Sequence, residues 1–204
     1  MTTVVETWDS QEGPLLTTNI VKSQAKLTFE QALQESAGEP FELVDGKIVF
    51  KTHEAKHADA RALLCGALGK FLMRHPIGRV RLGAMLLLWP DNPYGACRAD
   101  LSVVLNENIR EEQRYATRAP DLAIEIVSRH DGWTELFEKA RVYLEKGSRV
   151  VWIADPYQQA VVVITPNEQR WVRDTLTCPE VLPGFSINVQ DILNWPTATT
   201  KATE

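Results

Sequence analysis

Apolar residues recur at helical spacing in two long stretches of the chain, and shorter apolar runs bounded by turn residues lie between them. Ala60, Leu64, Ala67, Leu68, Phe71 and Leu72 define one face of a helix over 53–74, which Pro76 and Gly78 end. Leu136, Phe137, Ala140 and Leu144 do the same for a helix over 133–146, with Gly147 as its C-cap. Thr28 and Gln31 have the spacing of a capping box, and Phe29, Ala32 and Leu33 give the short helix behind it one apolar edge before Gly38-Glu39-Pro40. Asp45-Gly46, between two strand-forming runs over 41–50, predicts a tight hairpin, because a type I′ turn needs positive φ at both central residues. Residues 79–89 and 98–105 read as strands on either side of a Pro- and Gly-rich turn, and 106–118 as a loop or a solvated helix. Strands are expected at 121–128 and 149–154, then a hairpin of 159–164 with 169–174, and a last helical turn near Asp191.

A strand-helix-strand crossover among otherwise hairpin-linked strands implies an α/β (α+β) fold, a mixed sheet flanked by helices with extra C-terminal strands. The 204 residues suit one domain over 27–195, with a polar, aperiodic arm at 1–26 and a tail at 196–204. The most apolar run, Met85-Leu86-Leu87-Leu88-Trp89, is far shorter than the roughly 20 residues a membrane helix needs, so no membrane partner is expected. The segment 1–21 has neither the basic start nor the apolar core of a secretory signal, which points to the cytoplasm. Cys65, Cys97 and Cys178 lack CxxC spacing and read as buried free thiols. The net charge of −5 opposes avid nonspecific nucleic-acid binding, so any contact with DNA has to be local or assisted by a metal ion.

Side chains alternate across a strand, which places Arg98, Asp100, Ser102 and Val104 on one face, with the other face as core. Asp121, Ala123, Glu125 and Val127 share a face of the strand at 121–128 in the same way. Each strand thus carries an acid at its middle. Under covering helices such an acid costs free energy unless a cation, a donor or water compensates it. A hard divalent cation, Mg²⁺ or Mn²⁺, would resolve that cost for both acids. Pairing with Arg98, Arg79 or Arg81, or exposure to water, would resolve it without a metal.

The segments Phe41-Glu42-Leu43-Val44-Asp45-Gly46-Lys47, Ala99-Asp100-Leu101-Ser102-Val103-Val104, Pro120-Asp121-Leu122-Ala123-Ile124-Glu125-Ile126-Val127-Ser128, Glu138-Lys139-Ala140-Arg141-Val142-Tyr143 and Val151-Trp152-Ile153-Ala154-Asp155-Pro156 together resemble the Uma-two family. The resemblance spans about residues 27 to 187, in the family's own order. It implies a restriction-endonuclease-like fold of the PD-(D/E)XK nuclease superfamily and phosphodiester hydrolysis. It makes Asp100 and Glu125 the motif acids, with Glu42 and the Ile126 carbonyl as further Mg²⁺ ligands. Ala99 stands where the family usually has proline. Val127 stands where the superfamily pattern has lysine, and the family's habit of supplying it from the following helix assigns that part to Lys139.

His53-Glu54-Ala55-Lys56-His57 also matches the H-E-x-x-H zinc pattern, but Lys56 is awkward inside such a cleft and no third acidic ligand follows. His57 alone resembles a histidine of the family at this helix start, an accessory group for metal or phosphate. Arg74, His75, Arg79 and Arg81 read as a solvated basic turn, and Trp89, Trp152 and Trp171 as core residues rather than base-stacking platforms. Lys139 and Tyr143 share one helical ridge, so Tyr143 joins the accessory candidates; without the family the pair reads as an amphipathic edge. The expected function is a metal-dependent endodeoxyribonuclease acting on DNA, with a homodimer suiting cleavage of both strands. The alternative is a noncatalytic interaction module that keeps the fold.

Overall fold

The computed structural model describes residues 26–50, 54–88, 91–110, 115–129 and 131–195. The expected arm at 1–26, all but its last residue, and the tail at 196–204 lie outside them, as do His53 and Trp89. The chain opens with α1 (Phe29–Glu35), β1 (Glu42–Val44), β2 (Lys47–Val49) and α2 (Ala55–Arg74). Next come β3 (Gly78–Leu82), β4 (Met85–Leu87), β5 (Ala96–Arg98), β6 (Leu101–Leu105), a 3₁₀ turn (Asn106–Asn108) and β7 (Leu122–Ile126). After α3 (Trp133–Glu145) follow β8 (Val150–Asp155), β9 (Ala160–Ile164), β10 (Gln169–Val172), β11 (Thr175–Cys178), β12 (Leu182–Asn188) and α4 (Val189–Leu193).

Local chemistry explains the first elements. Thr28 and Gln31 exchange both capping-box hydrogen bonds at the start of α1. Asp45 and Gly46 take φ of 49° and 75°, the positive values a type I′ turn requires. Six strands form the main sheet in the order β10-β9-β8-β7-β6-β3, antiparallel except for the β7–β8 pair, which α3 connects. On one face Ala60, Leu64, Leu68 and Leu72 of α2 pack against Leu101, Val103, Ile124 and Trp152. On the other, Leu136, Ala140 and Tyr143 of α3 pack against Ala123, Val151 and Ile153. The expectation that only one face of these strands is core is therefore corrected: both are buried, and Glu125 lies under α3 with 1% of its surface exposed.

The segments 79–89 and 98–105 are not single strands. Each breaks in the middle, and the two breaks face one another: the Gly83 N–H donates to the Asp100 carbonyl at 3.1 Å. Gly83 adopts φ +55°, which side chains other than glycine rarely take. Below this elbow β3 pairs with β6 in the main sheet; above it β4 pairs with β5 in a second sheet of order β2-β1-β5-β4. Asp100 sits at the elbow rather than mid-strand, and Arg98 belongs to the other sheet. Residues 106–118 are neither a plain loop nor a helix over their described part: after the 3₁₀ turn, Ala116 forms a bridge with Leu86.

The C-terminal hairpin of β9 and β10 forms, and a second one, β11 with β12, precedes α4. Trp152 is fully buried as expected, but Trp171 is 45% exposed on the terminal strand β10. It leans on Trp133 with ring centroids 5.3 Å apart, so an apolar run at a sheet edge did not make it core. None of the three cysteines is in a disulfide, and Cys178 is fully buried while Cys65 and Cys97 are half-buried. Among the described residues no helix is long and apolar enough to cross a membrane.

Candidate active site

Three elements bring acids to one place. β1 of the small sheet carries Glu42, the elbow carries Asp100, and β7 of the main sheet carries Glu125. Leu101 pairs with Ile124 across β6 and β7, and the Ile126 N–H donates to Asp100 Oδ2 at 2.8 Å, which sets Asp100 beside the end of β7. From above, α3 lowers Lys139, whose Nζ donates to Glu42 Oε1 and Glu125 Oε2, each at 2.7 Å. One turn later the Tyr143 hydroxyl donates to Glu125 Oε1 at 2.8 Å. The Arg98 backbone N–H donates to Glu42 Oε1 at 2.8 Å. His57, in the first turn of α2, comes from the opposite side, its Nε2 3.1 Å from Asp100 Oδ2.

The short connection from β7 to α3 makes the helix run back over its strand, which places Lys139 above Glu125. The compensating cation of Glu42 and Glu125 is Lys139, while His57 pairs with Asp100. Of the arginines weighed for that part, neither Arg98 nor Arg81 forms an ion pair with these acids among the described residues. Arg98 instead contributes its backbone N–H, and its side chain turns to the Gly83 carbonyl at 2.7 Å. Arg79 is exposed as expected of a solvated turn, whereas Arg81 lies half-buried on the wall of a cavity of about 230 Å³ that Ser102 and Tyr143 also line.

The charges interlock. Burial pushes the Asp100 carboxyl up, but the hydrogen bond and charge of His57, the Ile126 N–H and the charge of Lys139 outweigh it and hold the group below its ordinary 3.8. Burial alone would lower the Lys139 pKa, yet Glu125 and then Glu42 raise it well above the usual lysine value, so the ammonium is locked on. Burial, then the neighbouring Glu125 charge, lifts the Tyr143 phenol well above 10.0, which keeps it a donor. Because the Asp100 pKa is depressed on folding, its contribution to stability is present above pH 3.8 and is lost as pH falls further, through its folded value. Those of Lys139 and Tyr143, raised on folding, are lost only as pH rises past 10.5 and 10.0. Urea unfolding of metal-free protein and of Asp100→Asn should therefore converge as the pH drops below 3.8. A stability gap between them that persists unchanged into that range would contradict the assignment.

The donors suit a hard cation in kind: carboxylates, with Asp100 half-buried and reachable at the elbow. Asp100 Oδ2 is taken by His57 and Ile126, while no described residue bonds its Oδ1. Glu42 and Glu125 are held together by Lys139, and among the described residues no three acidic, histidine or cysteine side chains stand grouped as a cage for an ion. The Ile126 amide, rather than its carbonyl, is what meets Asp100. Glu54, the acid of the H-E-x-x-H pattern, accepts from the Tyr157 hydroxyl through Oε2 at 2.6 Å, and His53 of that pattern lies outside the described residues.

A family model described as "Uma2: Putative restriction endonuclease" matches residues 28–190, from the N-cap of α1 into α4. The chain belongs to the Uma2 family. No curated protein matches it. Among solved structures it is similar to one from Anabaena variabilis, described as a "putative nuclease belonging to DUF820". The two share 23% identity over 82% of this chain and 97% of that one, with a TM-score of 0.71, which establishes a common fold. The stretch matched by the Uma2 model includes Glu42, His57, Asp100, Glu125, Lys139 and Tyr143. Sequence reading passed over Arg61, one turn beyond His57 on α2 and so on the same ridge; that spacing was the available signal.

Proposed function

We propose that the protein is a metal-dependent endodeoxyribonuclease, with Asp100, Glu125 and Glu42 as ligands of Mg²⁺ or Mn²⁺ and the Ile126 carbonyl as a further oxygen. The observation that carries this reading is the buried ammonium of Lys139 shared between Glu42 and Glu125 beside Asp100. Three acids and a lysine come together there from four separate elements. That convergence is expensive for a purely structural device, since desolvating these charges costs several kcal/mol apiece before their attraction offsets it. A divalent ion held there would supply Lewis-acid stabilisation of phosphate charge and a more acidic attacking water.

The chain's own residues do the rest. Asp100 keeps its charge at neutral pH through His57 and the Ile126 N–H. Lys139, fixed as an ammonium, sits where it can orient a water or stabilise developing negative charge once one of its carboxylates turns to the ion. Tyr143 donates to Glu125 Oε1 and so orients that carboxylate.

Supercoiled plasmid incubated with the protein should be nicked or linearised with Mn²⁺ or Mg²⁺ and left intact with EDTA. The rival reading, a noncatalytic module on the same fold, finds support in the net charge of −5, which repels a polyanion. Plasmid left intact across both metals, by a protein that still gains melting temperature from them, would favour that module.

A further inference from the structure

The geometry points to a phosphodiester-binding subsite beside the three carboxylates, built by the guanidinium groups of Arg61 and Arg98 in a cavity of about 310 Å³. It rests on the nuclease reading and names where the polynucleotide backbone is held. Glu42 and Asp100 line this cavity together with both arginines, so the cavity is the approach to the acids from the α2 side. Lys139 is not among its lining residues, and its ammonium is already engaged by two carboxylates. An incoming phosphate therefore has to find its positive charge elsewhere.

Arg61 is the candidate. It follows His57 by one helical turn, and His57 touches Asp100, so the same ridge of α2 that supports the acid also presents the guanidinium. Arg61 is half-buried, and its Nε is buried with no hydrogen-bond acceptor among the described residues. A buried donor of a charged group left unsatisfied is costly, and an acidic residue could have been paired with it, as Lys139 is paired across the site. Arg98 reaches the cavity from the small sheet, with its Nε tied to the Gly83 carbonyl at 2.7 Å and its terminal nitrogens in no hydrogen bond among the described residues. Gly83 is required for this placement, since a Cβ there would lie 2.6 Å from Arg98 Nη2.

The remaining walls choose among anions. Pro40, Val49 and Phe50 are apolar and partly exposed, a surface for a sugar or a base and not for a small inorganic anion alone, and the exposed Glu39 adds a further carboxylate at the rim. A planar guanidinium matches two phosphate oxygens at once, and the carboxylates opposite favour an anion that a cation accompanies. A phosphodiester strand with a divalent ion satisfies both walls.

The test uses the full chain and dithymidine monophosphate, with its uncharged methylphosphonate analogue as control. The Arg61 Nε–H resonance, identified by its loss in Arg61→Lys, should shift saturably with the phosphodiester and not with the analogue. Arg61→Met should weaken binding of the dinucleotide by about tenfold or more, with Arg61→Lys restoring part of it, on the scale of a charge-assisted hydrogen bond. In the same variants the rise of melting temperature with Mn²⁺ should persist, since Arg61 is no metal ligand. A resonance that does not move, one that moves equally with the uncharged analogue, or equal binding by Arg61→Met and wild type would overturn the subsite. Loss of the Mn²⁺ response in wild type would instead count against the metal reading and leave the arginine result standing.

Discussion

Lys139→Met should melt about 10 °C or more below wild type in metal-free buffer. The substitution leaves Glu42 and Glu125 buried without the cation they share. The Arg98 amide and Tyr143 hydroxyl stay, but neutral donors do not cancel a full charge. Removing one partner of a buried ion pair costs roughly 3–5 kcal/mol, and each kcal/mol moves the melting point of a chain this size by about 2–4 °C. Cleavage should fall by about 10²-fold or more, the scale of a positioned electrostatic group. Added Mn²⁺ should stabilise this variant more than wild type, because the ion no longer competes with an ammonium for the same two carboxylates. Calorimetry with and without Mn²⁺ measures both effects, and a variant that melts with wild type would show that the ammonium bears no such charge.

Asp100→Asn should reduce cleavage by about 10³-fold and remove the Mn²⁺-dependent rise in melting temperature. The variant should stay folded, because an amide oxygen can still accept the Ile126 N–H at the elbow. Only the anionic charge and the second carboxylate oxygen are lost. A Mn²⁺ increment of wild-type size in Asp100→Asn would place the ion away from the elbow.

Much of this site could be read in the chain beforehand, where local rules decide the outcome. The capping box at Thr28, the Asp45-Gly46 turn, the apolar face of α2 and the short link into α3 are contacts between near neighbours. Lys139 could be placed level with Glu125 from helix rise and strand rise alone. The elbow could not. Polar and apolar residues alternate without a break through the elbow over 98–103, and only the pairing of Gly83 with Asp100 across the hairpin reveals where the chain changes sheets. The partners of the acids could be named only through the family resemblance. His57 lies 43 positions before Asp100, and Glu42 lies 97 before Lys139, separations that no periodicity spans. Trp171 misled because an apolar strand residue is buried only if a layer covers it, and β10 is the last strand of its sheet.

Glu42 rides on the small sheet and Glu125 on the main one, so the Lys139 ammonium is a clasp between two separately hydrogen-bonded units. Exchanging that clasp for a doubly charged ion changes what fastens the β1–β2 hairpin to the rest of the molecule. Ion uptake and the local opening of the hairpin are then thermodynamically linked, each altering the equilibrium of the other. The amides of Leu43, Val44 and Ile48 would report on occupancy of the acids through their rate of exchange with deuterium, although none of these residues is proposed to touch the ion.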